Sequence, residues 1–206
     1  MKKFFTVVPK QPVGGLKSYV YQAVENLKLQ MDKETRFPII STINGYAIPG
    51  EDFRMIAVMQ AAGNEERNIE VLKEEFANLC KEKNLLCSRG LEVIKVSPDE
   101  KVSTHIETFQ TLLDYVDDDD ELYLCITYGS KPIQNCVMLA IQYAYRIKKN
   151  ASISCVVYGC IERDKEPWYG AIYDVTALLQ LDEIIHTLAE QGVKNPKKAL
   201  DVILSL

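Results

Sequence analysis

Residues 122–159 constrain the fold of this chain more than any other stretch. An apolar run, Leu122 to Thr127, ends in a short polar turn, Thr127-Tyr128-Gly129-Ser130-Lys131-Pro132. A long helical pattern follows over 133–149, and a second apolar run over 153–157 ends at Tyr158-Gly159. Short runs that are apolar throughout read as strands buried on both faces. A strand, a turn, a helix and another strand in this order make a parallel crossover unit, with helices covering the sheet.

The rest of the chain repeats the alternation. Strands are expected over 4–8, 53–59, 91–96 and 171–173; residues 37–46 are ambiguous, since Pro38 breaks the pattern, Ile39 and Ile40 favour strand and Asn44-Gly45 signals a turn. Helices are expected over 16–29, 64–83, 176–191 and 195–206, with Asn64 capping the second. A further helix, capped by Ser103 or Thr104, carries Ile106, Phe109, Leu112, Leu113 and Val116. The acidic run 117–120 reads as a solvated turn, and 160–167 as a charged loop leading to Trp168. The fold class is therefore α/β: a Rossmann-like, doubly wound, mostly parallel sheet with helices on both faces. A sheet domain over 1–192 and a helical extension over 193–206 are expected. In such sheets ligands bind outside the carboxyl ends of the strands, which places 9–15, 127–132 and 158–161 together.

Composition narrows the function classes. No apolar run reaches the roughly 20 residues that span a bilayer, so no membrane association and a cytoplasmic setting are expected. Six cysteines without a CxxC pair fit a reducing compartment. Two distant histidines, His105 and His186, argue against a zinc site or a histidine dyad, and no metal or cofactor is expected. A net charge of −5 argues against binding long nucleic acid. Yet residues 1–24 and 126–161 contain lysine or arginine and no acid. Converging, they would form a local positive pocket; equally, strands and buried helices simply carry few charges.

The turn after residue 126 has the chemistry of an anion site. Thr127 and Ser130 offer hydroxyls, Gly129 permits close approach of the backbone, and Lys131 is a mobile positive charge. Pro132 suits the first turn of a helix, whose free amides attract anions. Pro9, Lys10 and Gln11 could add contacts from the first loop, and Tyr128 and Tyr158 could stack on a base. The same residues also fit an ordinary strand-to-helix turn. Neither a GxGxxG fingerprint nor a Walker A motif is present.

The run Ile126-Thr-Tyr-Gly-Ser-Lys-Pro132, the apolar helix, Val156-Val-Tyr-Gly159 and Ile172-Tyr-Asp-Val-Thr176 together resemble the CRISPR-associated Rossmann fold (CARF) family. The likeness is clearest over 110–192. Cys125 departs from it, since many relatives carry an acidic residue there. The resemblance implies a sensor of cyclic oligoadenylates, the second messengers of type III CRISPR antiviral defence, with cyclic tetra-adenylate favoured. It implies a homodimer through helix 133–149, with Pro9, Lys10, Gln11, residues 127–132, Tyr158 and Gly159 contacting the ligand from both subunits. A fused or separate effector is a possible partner.

Two alternatives stay open. Some relatives cleave their ring without metal, by attack of a ribose 2′-hydroxyl on the neighbouring phosphate. Lys131, Ser130 and Thr127 would be the catalytic candidates here, with no obvious general base. The other alternative is an unrelated Rossmann-like nucleotide-binding enzyme.

Overall fold

The computed structural model describes residues 1–61, 63–164 and 166–205, with Val13 described in its backbone alone. The elements in chain order are β1 (Lys2–Val7), β2 (Tyr19–Val24), β3 (Glu34–Thr35), α1 (Pro38–Tyr46), β4 (Phe53–Gln60), α2 (Asn64–Lys83), β5 (Leu91–Val96), α3 (Val102–Leu113), β6 (Glu121–Cys125), α4 (Lys131–Ile147), β7 (Ser152–Glu162), β8 (Tyr169–Asp174), α5 (Thr176–Glu190) and α6 (Pro196–Leu204). The strands form one sheet in the order β3-β2-β8-β7-β6-β1-β4-β5. Strands β5, β4, β1, β6 and β7 are mutually parallel. β8 runs antiparallel to β7, and β2 is parallel to β8. The α/β, Rossmann-like, mostly parallel fold is thus as the alternation of patterns predicts.

Period-two alternation splits the central strands between two layers. Phe4, Met55, Tyr123 and Cys155 share a core with Ile39 and Ile43 of α1 and Leu72 and Phe76 of α2. There the Phe4 ring stacks on Tyr123 at 4.5 Å and meets Phe53 edge-on at 5.4 Å. α4 packs on β1 and β7 through Ile133, Val137, Ala140, Ile141 and Ala144. Its second apolar side meets α3, where the Cys136 thiol donates to the His105 carbonyl at 3.3 Å.

Several local expectations are corrected. Residues 16–29 form β2 and a 3-10 turn rather than a helix. Leu16, Tyr19, Val20, Ala23 and Leu27 do fit a helical period, but Tyr21 to Val24 pair with Gly170 to Tyr173, and cross-strand pairing overrides local periodicity. Residues 37–46 resolve as helix α1, with Pro38 in its first turn, where no amide hydrogen is needed. Asn64 does not cap α2; its amide donates to the Lys10 carbonyl at 3.2 Å. Nor do Ser103 or Thr104 cap α3: Asp99 instead accepts from the Lys101 amide at 3.0 Å and the Thr104 hydroxyl at 2.7 Å. The acidic turn is not merely solvated, because Asp120 is buried against Lys3 at 2.6 Å. β7 continues to Glu162, past the expected end at 157, by pairing with β8.

The chain divides into two compact units, Met1–Asp174 and Val175–Leu206. The division falls earlier than the 1–192 boundary expected from sequence, so α5 belongs with α6. All six cysteines are free thiols. No helix among the described residues is long and apolar enough to cross a membrane.

Candidate functional site

The order of strands reverses at β1. β4 and β5 lie on one side of it and β6 and β7 on the other. The connection leaving β1 leads to β2, on the same side of β1 as β6 and β7, and a crevice opens where it and the turn after β6 pass the carboxyl ends of the strands. Its two walls are held by side chains from neighbouring helices. Asn68 of α2 donates its amide to the carbonyls of Pro9 at 2.7 Å and Gln11 at 2.8 Å, fixing the loop after β1. Gln134 of α4 donates to the carbonyls of Ile126 at 2.7 Å and Tyr128 at 2.8 Å, fixing the turn after β6.

Thr127 ties that turn to β7. Its hydroxyl oxygen accepts from the Gly159 amide at 2.8 Å and from the Cys125 thiol at 3.2 Å. Gly129 has φ of +100°, and a Cβ there would lie 2.3 Å from a Val7 methyl. Its role is close packing against the end of β1, not close approach to a ligand. At Gly159 a Cβ would lie 2.3 Å from Pro38, so this glycine makes room for the start of α1.

A cavity of about 560 Å³ occupies the crevice and extends along β7. Gln11, Gly15, Leu16, Lys17, Tyr19 and Tyr21 line it from the amino-terminal segment. Thr127 and Tyr128 line it from the turn, and Tyr158 to Ile161, Arg163 and Trp168 from the β7–β8 hairpin. The two acid-free segments of the sequence do meet here. Among its described residues the charged groups of the lining are Lys17, from the first of these segments, and Arg163, just past the second, with no aspartate or glutamate. Among the described residues neither cation sits in an ion pair, and Arg163 lies over the Trp168 ring. Two cations without a carboxylate partner at an open cleft make a site for an anion. Five aromatic rings (Tyr19, Tyr21, Tyr128, Tyr158 and Trp168) add stacking surface.

The rings are not equivalent. Tyr21 is buried, and burial pushes its phenol up to about 12. Burial also raises the Tyr128 phenol, whose hydroxyl donates to the Arg36 carbonyl at 2.8 Å. Both remain neutral and form the wall. Tyr158 and Trp168 are 42% and 44% exposed, and they have faces free to stack. The Cys160 thiol is pushed up to about 11 by burial and by the Glu162 carboxylate at 3.0 Å, so it is not an activated nucleophile.

Of the residues expected from sequence, Gln11, Thr127, Tyr128, Tyr158 and Gly159 line the cavity. The others lie beside it. Pro9 is buried, and Lys10 is 3.3 Å from Glu100. Ser130, Lys131 and Pro132 begin α4. The Ser130 hydroxyl is buried without a partner among the described residues and makes no capping bond. Lys131 is exposed at the first turn. Lys17, Tyr19, Tyr21, Arg163 and Trp168 line the cavity without a local signal in the sequence. The helical period over 16–29 and the charged composition of 160–167 mask two segments that flank it.

No group of three or more histidine, cysteine, aspartate or glutamate side chains suited to a metal occurs among the described residues. His105 lies 3.3 Å from Glu100, and His186 lies 3.2 Å from Glu190 in the helical unit. A scan of protein-family models gives no match to this chain, and a search of curated proteins gives none either.

Proposed function

We propose that the protein is a sensor that binds a cyclic oligoadenylate, with cyclic tetra-adenylate favoured. The carrying observation is the cavity at the carboxyl ends of β6 and β7: among its described lining residues stand two cations without an ion-pair partner and two exposed aromatic rings, with no carboxylate, on a chain of net charge −5. Phosphates need the cations and bases need the rings. The volume falls in the range of about 300–1,000 Å³ usual for small-ligand sites. The resemblance of the 126–132, 156–159 and 172–176 motifs to the CARF family supplies the ligand class and the link to antiviral defence. An effector, fused or separate, would read out binding.

A ring with internal symmetry suits a two-fold homodimer, in which each contact occurs twice. α3 covers part of the apolar surface of α4, and Leu139 remains 45% exposed for a second copy. Binding without cleavage is the favoured reading. The described lining residues include no histidine or carboxylate, and burial and the Glu162 carboxylate push the Cys160 thiol up to about 11. A ring nuclease would rely on positioning by Thr127, Ser130 and Lys131 alone.

The test is calorimetric titration with cyclic tri-, tetra- and hexa-adenylate, followed by chromatography of the incubated mixtures. Saturable heat with at least one intact ring is expected. No heat with any of them would sink the proposal, and a linear product would convert the sensor into a nuclease. Leu139→Asp should leave a monomer by light scattering with weakened ring binding.

A further inference from the structure

The sole tryptophan of the chain stands at an unusual place for packing. Trp168 lies just before β8, where the β7–β8 hairpin borders the cavity, and it is 44% exposed. Leaving so large an apolar surface in water forgoes roughly 1–2 kcal/mol of burial free energy, so core packing does not account for it. The Arg163 guanidinium sits over the indole, 5.4 Å from its centroid. Arg163 precedes the hairpin turn, Trp168 follows it, and the antiparallel register Glu162 to Tyr169 brings the two together. A guanidinium stacked on an indole is held flat, with its donors pointing outward in a fixed fork.

We infer that Arg163 and Trp168 form a base-and-phosphate clamp, and that the site takes a ligand carrying an aromatic base within reach of a phosphate. This rests on the proposed anion-binding role of the same cavity and specifies what the ligand must contain. The indole supplies one face for stacking a base, and the exposed Tyr158 ring lines the same cavity further along β7. Arg163 supplies a bidentate contact to a phosphate, which a point charge such as Lys17 cannot. A bare polyanion would engage Arg163 and Lys17 and leave the indole untouched. The clamp is therefore a specificity device: it favours nucleotides over base-free phosphates.

With one tryptophan among eleven tyrosines, fluorescence excited at the red edge, beyond tyrosine absorption, reports on Trp168 alone. Cyclic tetra-adenylate should quench that emission with the same midpoint as the calorimetric isotherm. Inorganic pyrophosphate, which has no base, should leave it unchanged. By calorimetry, Trp168→Leu should weaken ring binding about ten-fold or more, the size expected for loss of one stacked base. Trp168→Phe, which keeps an aromatic face, should recover most of that loss. Arg163→Gln should weaken binding and lessen its dependence on salt. Calorimetric binding with an unresponsive Trp168, and Trp168→Leu within two-fold of wild type, would overturn the clamp while leaving the sensor intact. Absence of heat with every ring removes the sensor and the clamp together.

Discussion

At the amino ends of the parallel strands, Lys2, Lys3 and Arg54 each meet a carboxylate; at the carboxyl ends, Lys17 and Arg163 meet none. Lys3 is 2% exposed, with Asp120 at 2.6 Å and Asp117 at 2.7 Å. Arg54 holds Glu92 through two bonds of 2.7 and 2.9 Å. These charges are consumed by the fold, because a buried charge without a partner costs more than the chain can spare. The cations at the cavity are exposed, so they need no partner from the fold and remain available to a ligand. The same residue type thus serves stability at one end of the sheet and binding at the other, and burial decides which.

Removing a carboxylate from the closed end should have the largest effect. Asp120→Ala strands the buried Lys3 ammonium and should cost about 3–5 kcal/mol in denaturant unfolding. A loss below about 1 kcal/mol would mean that Asp117 alone suffices. This end should also respond to acid. The Lys3 ammonium bonded to Asp117 holds that carboxyl below its ordinary value of 3.8. A depressed folded-state value means that the stabilisation is fully present above the unfolded value. It fades as pH falls below about 4, so Asp117→Asn and wild type should converge in melting temperature on acidification.

Between the two ends lies a packing test. Gly129→Ala would place a Cβ 2.3 Å from Val7 at a φ of +100°, and roughly 2–4 kcal/mol of destabilisation is expected from strain and overpacking. Near-neutral unfolding would show that the turn after β6 is not held against β1 as described. The smallest effect on stability belongs to the open end. Lys17→Ala should change unfolding by less than about 0.5 kcal/mol. It should still weaken cyclic tetra-adenylate roughly ten-fold by calorimetry, the scale of one charge-assisted contact. A stability loss without a binding loss would erase the contrast between the two ends.

Much of this architecture is legible from local pattern. Leu122 to Cys125 and Cys155 to Val157 read as buried strands because both of their faces are covered by helices. The rule that ligands bind where parallel strands end brings Gln11, Thr127, Tyr128, Tyr158 and Gly159 together from sequence alone, and all five line one cavity. What local pattern missed depends on pairing partners distant in sequence. Tyr21 belongs to a strand because β8 exists to receive it and Tyr19 because β3 does, and Cys160 to Glu162 because β7 outruns β6 to join β8.

The sequence by itself determined the α/β alternation, the strand ends that would carry a site, and the two acid-free segments that converge there. These follow from hydrophobic period and charge placement, which are local properties. Only the tertiary structure decided which cations stay free and which glycines serve packing. It also brought Lys17, Arg163 and Trp168 to the mouth of the cavity. Those outcomes depend on which groups meet across the sheet, and burial and pairing are set by contacts between residues more than a hundred positions apart, as between Lys3 and Asp117.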